Sequence, residues 1–185
     1  MKISLIFFLI ASSLFSQSKD TQIKNYFNSL NNKNILIEIV ENQSVVNANI
    51  SLNDSKIYFE TIDSDSTVSL FEKNVITSYD LSKKNIIIEN SDKNILDFFS
   101  YENFENFPLE KIEIEIENSI YYYNFYDNLL LITFSNSKNV VDTISLFHAE
   151  KSIFECKIVD VKKYKNPLEF FSIDDSWATI DWRSN

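Results

Sequence analysis

The chain has 185 residues, contains no glycine, and carries a formal net charge of −10 at pH 7. Nucleic-acid binding requires clustered Lys and Arg, and this acidic chain has only 17 of them, so nucleic acid is excluded as a partner. Loops that hold phosphate groups or dinucleotides need glycine for close backbone approach, so those sites are excluded in their usual form.

The first eighteen residues have the pattern of a secretory signal peptide. A lysine precedes an apolar run from Ile3 to Leu14, and small polar residues follow. The alternative is an uncleaved anchor, but a membrane span needs roughly 20 apolar residues and this run is shorter. We therefore predict cleavage after Ser16 or Ser18, which leaves residues 19–185 as a single soluble domain.

An amphipathic helix and a run of strands are predicted next. Between residues 19 and 32, Ile23, Phe27 and Leu30 recur at helical spacing. Short runs of alternating apolar and polar residues follow, separated by turns rich in Asn, Asp, Ser and Lys, which is typical of an antiparallel meander. The predicted strands are Ile35–Glu41, Ser44–Leu52, Lys56–Ile62, Thr67–Phe71, Val75–Leu81 and Asn85–Glu89. Since glycine is absent, we expect Asn to occupy turn positions with positive φ.

The alternation stops over residues 94–107. Ile95, Phe98 and Phe99 lie at helical spacing and Pro108 follows, so we predict a short helix and a loop that pack over the sheet. Strands then resume, which gives about eleven in one sheet. They are Lys111–Glu117, Tyr121–Tyr126, Leu129–Ser135, Val140–Phe147 and Ile153–Val161, with Leu168–Phe171 and Ala178–Trp182 as possible last pieces.

The segment Lys111–Glu117 reads KIEIEIE. In a strand, its Ile side chains lie on one face of the sheet and its Glu side chains on the other. A row of glutamates is explained more simply as a solvated face than as a carboxylate site. We therefore predict a half-buried strand here, with no chemistry of its own.

Residues with catalytic or metal-binding potential are sparse. His148 is the single histidine, whereas a zinc site usually needs several His or Cys ligands, and no nucleophile-turn signature accompanies it. Cys156 is the single cysteine and is predicted to be a buried strand residue. Two aspartate pairs could form a carboxylate or calcium site, although turn chemistry explains them more simply: Asp63 with Asp65, and Asp174 with Asp175. We expect no catalytic residue, no metal and no cofactor.

Several short motifs occur in the order and spacing of a known family. They are Ile50–Leu52, Ile57–Phe59, Val68–Leu70, Glu72–Asn74 and Tyr79–Asp80, together with Asn166–Phe170 and Trp177–Asp181 near the end of the chain. This layout resembles the LolA family of periplasmic carriers of outer-membrane lipoproteins. Asn53 and Asp54 stand where the family has an Arg and a Pro, and in family members that Arg helps to hold a helical lid shut. The turn Pro is missing at Ser64, and the hairpin Gly is replaced by Lys73 or Asn74.

The resemblance implies a mainly β, α+β fold. A single, strongly curved antiparallel sheet would form an unclosed half-barrel, covered by the N-terminal helix and a short helical lid. The concave face and the lid would enclose an apolar cavity for acyl chains, although ordinary core packing is the alternative for each candidate residue. The candidates are Ile57, Phe59, Val68, Leu70, Ile132 and Phe134 on the sheet, with Phe98 and Phe99 on the lid.

The resemblance also implies a function. A monomer in the periplasm of a Gram-negative bacterium would bind the acyl chains of lipoproteins. It would receive them from an inner-membrane ATP-driven transporter and deliver them to an outer-membrane receptor. Each methylene buried contributes roughly 0.8 kcal/mol, so a long acyl chain needs a carrier to cross water. The alternative is a LolA-like module that senses or binds lipid or lipoproteins without carrying them.

Overall fold

A computed structural model describes residues 20–41, 44–54, 56–62, 67–91, 96–100, 104–169 and 171–183. The predicted signal peptide, the pair Asp63 and Asp65, Ser64 and Ile95 lie outside these residues. Within the described ranges, no helix combines the length and the apolar character needed to span a bilayer.

The N-terminal helix is confirmed. Residues 20–29 form α1, in which Ile23 and Phe27 are completely buried. Leu30, the residue after the helix, is also buried. The helix ends before residue 32, earlier than predicted, because Asn32 adopts a left-handed conformation with φ of 57°. The apolar stripe at helical spacing therefore fixes which side of α1 packs onto the sheet.

The described residues form twelve strands in one sheet, in the order β12-β6-β5-β4-β3-β2-β1-β11-β10-β9-β8-β7. Their bounds are β1 (Lys33–Glu41), β2 (Ser44–Asn53), β3 (Lys56–Thr61), β4 (Thr67–Glu72), β5 (Val75–Asp80), β6 (Asn85–Asn90), β7 (Leu109–Ile114), β8 (Asn118–Phe125), β9 (Asn128–Ser135), β10 (Val140–His148), β11 (Lys151–Lys163) and β12 (Ala178–Asp181). The sheet is curved and unclosed, which confirms the predicted fold class with one more strand than expected.

Two details of the predicted sheet are wrong. The sheet is not wholly antiparallel, because β12 pairs with β6 in parallel, with Ala178 opposite Asn85. The predicted piece Leu168–Phe171 is not a strand, since residues 167–169 form a turn. There the side-chain oxygen of Asn166 accepts a hydrogen bond from the Leu168 N–H at 2.9 Å, which is the geometry of an Asx turn.

Strand β7 is shorter than the predicted Lys111–Glu117. It ends at Ile114, because the Glu115 N–H donates to the Asn118 carbonyl at 2.9 Å and turns the chain toward β8. Only Ile112 of the three Ile residues is half-buried; Ile114 is 54% exposed and Ile116 is 98% exposed. The expected apolar face of this segment is therefore mostly open to solvent.

The main core lies on the concave face. Residues paired across neighbouring strands share a face, so Ile35 with Ile50 and Ile132 with Ile144 all point inward. The helix α1, a short 3₁₀ helix at Asp97–Phe99 and the fully buried Phe104 cover them. We call β1, β2, β7–β11 and these covering elements the lidded region.

The other half of the sheet is covered on its convex face. Residues 164–177, here called the strap, leave β11 and reach β12 at the far edge. The side chain of Asn34 accepts from the Lys165 N–H at 2.6 Å and donates to the Lys165 carbonyl at 3.2 Å, which fixes the start of the strap. Leu168 packs against a small cluster made by Tyr58, Val68 and Leu70. We call β4–β6 and β12 the wing, and β3 lies at its boundary.

Turns with positive φ are built without glycine, as expected, but Asn fills few of them. Nine described non-glycine residues have positive φ: Asn32, Asp54, Lys73, Lys84, Tyr126, Asp127, Asn139, Ala149 and Glu150. The β8–β9 and β10–β11 hairpins have two-residue loops, at residues 126–127 and 149–150, and each loop has positive φ at both positions, as the type I′ turn requires. The hairpin geometry therefore overrides residue preference there.

Candidate functional site

An aromatic lid covers the concave face. Phe98 and Phe99 of the 3₁₀ helix are fully buried, with ring centroids 4.5 Å apart. Phe98 reaches the sheet at Phe125, with a centroid distance of 5.8 Å, and at Phe154, at 6.1 Å. These ring contacts are apolar and permit many orientations, unlike hydrogen bonds.

A second aromatic contact joins α1 to the lid. The rings of Phe27 and Phe104 stack at a centroid distance of 4.1 Å, and Phe104 also packs against Tyr123 at 4.9 Å. All three side chains are fully buried. The space under α1 is therefore filled by protein side chains in this conformation.

A cavity of about 150 Å³ lies where α1, the β2–β3 hairpin and the 3₁₀ helix meet. Its apolar walls are Leu52, Ile57 and Phe99, whereas Asn28, Asn31, Asp54 and Ser100 supply polar walls. The Asn31 side-chain oxygen accepts from the Asp54 N–H at 3.0 Å, which links helix and hairpin beside the cavity. A void of about this size holds a benzene-sized molecule, below the roughly 300 Å³ at which small-molecule sites begin.

Six of the eight predicted cavity residues lie on the concave side. Ile57, Phe98, Phe99, Ile132 and Phe134 belong to the main core, and the half-buried Phe59 packs against it. Two of them, Ile57 and Phe99, line the cavity itself. The other four belong to the packing around it.

The prediction that Val68 and Leu70 line the cavity on the concave face is wrong. The register places Leu70 opposite Tyr58 and Val68 opposite Glu60, so both side chains lie on the convex face beneath the strap. Phe71 pairs with Ile57 and packs against the main core. Alternation shows which residues of a strand share a face, but the register of β4 against β3 decides which face that is.

Sequence reasoning also missed some residues of the site. Leu52 lines the cavity, and Phe27 and Phe104 form the stacked pair beneath α1. Phe27 belongs to the helical stripe that predicted α1, so its burial was foreseeable, although its partner was not. Nothing in the local pattern pairs it with Phe104, which is far away in sequence.

Three tyrosines near α1 are held in the neutral form. Burial raises the pKa of Tyr26 to about 12, against a smaller lowering by the backbone of Val141. Burial and the charge of Asp20 raise the pKa of Tyr121 to about 12. The pKa of Tyr123 is also raised by burial and by Asp20, to which its hydroxyl donates at 3.2 Å. Tyrosine is already uncharged at neutral pH, so the effect of burial is to keep Tyr26 and Tyr121 uncharged at alkaline pH, up to about 12.

His148, Cys156 and Asp174, which have catalytic or metal-binding potential, make local hydrogen bonds or are buried. His148 is exposed, and its Nδ1 lies 2.9 Å from the Asn128 side-chain oxygen. Cys156 is buried, which raises the pKa of its thiol to about 12 and disfavours the reactive thiolate. Asp174 caps its own turn by accepting from the Ser176 N–H at 2.9 Å. Among the described residues, no three His, Cys, Asp or Glu side chains are grouped so that they could hold a metal ion.

The fold and the site together define a protein with an open, curved sheet and an aromatic lid over its apolar concave face. No protein-family model matches the chain, and no curated protein matches it. The fold is similar to that of an uncharacterized conserved protein from Thermus thermophilus, with a TM-score of 0.55 and 8% identity over 89% of this chain and 99% of that one. This likeness shows a shared fold alone.

Two structures that contain MucB are less similar. MucB itself is 9% identical with a TM-score of 0.38, and the match covers 78% of this chain and 60% of MucB. MucB in complex with MucA(peri) is 7% identical with a TM-score of 0.36, and the match covers 76% of this chain and 55% of MucB. Similarity at these TM-scores is too low to support a conclusion about this chain.

Proposed function

We propose that this protein binds the acyl chains of lipoproteins on its concave face and carries them through the periplasm of a Gram-negative bacterium. The observation that supports this most is the cavity between α1, the β2–β3 hairpin and the lid, which has an apolar wall at Ile57 and Phe99 and polar residues such as Asn28 beside it. An acylated lipoprotein has the matching division between apolar acyl chains and the polar polypeptide to which they are attached. The resemblance of the sequence to the LolA family supports the same function.

Full binding requires the lid to move. The present cavity accommodates only the end of an acyl chain, so a longer part of the chain must displace Phe98 and Phe99. The contacts of Phe98 with Phe125 and Phe154 are apolar, and methylene groups can replace them without leaving a polar group unsatisfied. Each methylene that enters contributes roughly 0.8 kcal/mol toward opening the lid.

A binding or sensing module without carrier activity is the second candidate function. The packed lid favours it, because Phe27, Phe98, Phe99 and Phe104 fill the concave face in this conformation. The replacement of the family's Arg and Pro at Asn53 and Asp54 also favours it. Such a module would engage lipid or lipoprotein at the cavity without extracting it from a membrane.

By resemblance, the carrier is a monomer that is loaded by an inner-membrane ATP-driven transporter and unloaded by an outer-membrane receptor. We propose that the protein performs no catalysis and uses no cofactor, because His148 and Cys156 are held in structural roles.

Native mass spectrometry of protein purified from the periplasm of its own host tests the proposal. Bound acylated lipoprotein, together with release of newly made lipoproteins from spheroplasts, supports the carrier. Bound acyl ligand without release supports the sensing module. A protein that carries no acyl ligand and releases nothing contradicts both functions.

A pair of matched variants tests the position of the site. Ile57→Trp inserts bulk into the cavity wall and should abolish acyl binding while the protein remains folded. Leu70→Trp is the control, because Leu70 is similarly buried but lies on the convex face. Equal loss of binding in both variants, or in neither, would show that the cavity is not the acyl site.

A further inference from the structure

The sheet ends at β7 with an open edge. Hydrogen-bonded and non-hydrogen-bonded pairs alternate along an antiparallel ladder, and the Glu115 N–H donates to Asn118 on β8. Lys111 and Glu113 therefore direct their main-chain groups toward β8, whereas Ile112 and Ile114 direct theirs away from it. No other strand of the described residues lies on that side.

The side chains along this edge are apolar and acidic. Ile114, the last residue of β7, is 54% exposed, and Ile116, in the loop that leads to β8, is 98% exposed. Residues 109–117, here called the acidic edge, contain four glutamates and one cation, Lys111. Lys111 forms an ion pair with Glu113, which also accepts from the Tyr122 hydroxyl at 2.9 Å. The cation is therefore engaged within the chain, and the edge presents excess negative charge.

A second copy of the chain fits this edge poorly. Antiparallel pairing centred on Glu113 or Ile114 sets glutamate opposite glutamate, which is destabilising. Pairing centred on Ile112 sets Lys111 opposite Glu113, but these two side chains already form an ion pair within each copy. It also sets the exposed Ile114 opposite Glu110, at the irregularity in β7. Each copy also carries a net charge of −10, so approach is unfavourable. Acidic side chains on an edge strand are a usual defence against self-association.

We propose that the acidic edge is a docking site for an extended segment of a partner protein in which apolar residues alternate with Lys or Arg. The segment adds a strand to the sheet through the outward main-chain groups of Ile112 and Ile114. Its apolar side chains cover Ile114 and Ile116, and its cations face the glutamates. This site lies at the sheet edge and does not depend on acyl-chain binding.

The test uses fluorescein-labelled synthetic peptides and the full mature protein. The peptide KIKIKIK should bind in a fluorescence anisotropy titration and weaken as salt is added, whereas EIEIEIE should not bind. The proline-interrupted peptide KIKPKIK has the same charge but loses a strand hydrogen bond, and it should bind about tenfold more weakly. Equal binding of KIKIKIK and KIKPKIK would show that the interaction is non-specific charge attraction, and it would overturn the proposal.

A variant separates strand addition from charge attraction on the protein side. Ile114→Pro removes an outward N–H that β8 does not use, leaves the net charge unchanged, and should weaken KIKIKIK binding about tenfold. Ile114→Val keeps the N–H and a β-branched apolar side chain, and should retain binding. If Ile114→Pro does not fold, hydrogen exchange of the wild-type protein decides: slowed exchange of the Ile112 and Ile114 amides with KIKIKIK supports docking, and unchanged exchange overturns it.

Discussion

In the lidded region, α1, Phe98, Phe99 and Phe104 cover the concave face, and the strands beneath them contribute fully buried side chains such as Ile132. In the wing, the cover is the strap, which lies on the convex face and completes a cluster of three buried residues. Every residue of β5 is only half-buried. One continuous sheet thus has two cores of unequal size on opposite faces.

The unequal size of the two cores indicates which region of the sheet supplies most of the stability. Hydrophobic stabilisation scales with the apolar area removed from water, so the lidded region supplies most of it. The wing depends on a strap fixed by polar contacts, among them those of Asn34 with Lys165. The proposed ligand binding under the lid would therefore act on the more stable region, and the wing is expected to open first under stress.

The largest expected difference between the regions comes from matched core truncations. Leu130→Ala in the main core should lower the free energy of unfolding by about 4 kcal/mol, because Leu130 is completely buried. Leu70→Ala in the wing should lower it by about 2 kcal/mol, since its smaller surroundings can collapse. Denaturant unfolding of both variants measures this. Equal losses would mean that the two cores are equally well packed.

Removing the Asn34 side chain should weaken the strap. Asn34→Ala deletes the bonds to Lys165 and the 2.8 Å bond to the Ser51 hydroxyl, and should cost about 1–2 kcal/mol. Hydrogen exchange should rise in residues 164–177 and change little in α1. Asn34→Asp keeps the acceptor for the Lys165 N–H and should show a smaller effect. An equal rise in α1 would contradict independent opening of the wing.

We expect acid to destabilise the wing and alkali to destabilise the lidded region. Asp80 in the wing accepts from the Ser82 hydroxyl and the Lys83 N–H, which lower its pKa from 3.8 to about 2. Its stabilising effect is therefore complete above pH 4 and lost as the pH falls toward 2. Asp80→Asn should flatten the acid part of a plot of unfolding midpoint against pH. An unchanged acid slope would mean that Asp80 does not stabilise the turn.

The buried tyrosines should control the alkaline side. Tyr26 and Tyr121 have pKa values raised from 10.0 to about 12, so their stabilising effect is complete below pH 10 and lost as the pH rises toward 12. Tyr26→Phe should reduce the alkaline loss of stability and leave the acid side unchanged. Near-ultraviolet absorbance follows the ionisation directly. Ionisation of Tyr26 at pH 10 would show that α1 does not bury it in solution.

The smallest effect is expected at the acidic edge. Ile116 is 98% exposed, so Ile116→Ser should change the free energy of unfolding by no more than about 0.5 kcal/mol. The same variant should weaken KIKIKIK binding if the edge docks a partner strand. A large loss of stability would show that Ile116 is covered in solution.

Local patterns predicted most of the elements. The alternation of Ile50 and Leu52 with polar neighbours predicted β2, and the helical stripe of Ile23 and Phe27 predicted α1. The convex position of Val68 and the parallel pairing of β12 depend on which strands meet, and no local pattern contains that information. The same limit applies to Phe104, whose burial follows from a distant partner, Phe27.

The pairing of β1 with β11 has a consequence for how the chain folds. Strands β1–β6 and β7–β11 each pair with sequence neighbours, and Ile37 opposite Ile158 lies in the junction that joins the two groups. Closing that junction brings together residues that are far apart in the sequence, and such non-local pairing is slow. We expect it to be the late kinetic step. Until it forms, both β1 and β11 have an unpaired side that can associate with other chains.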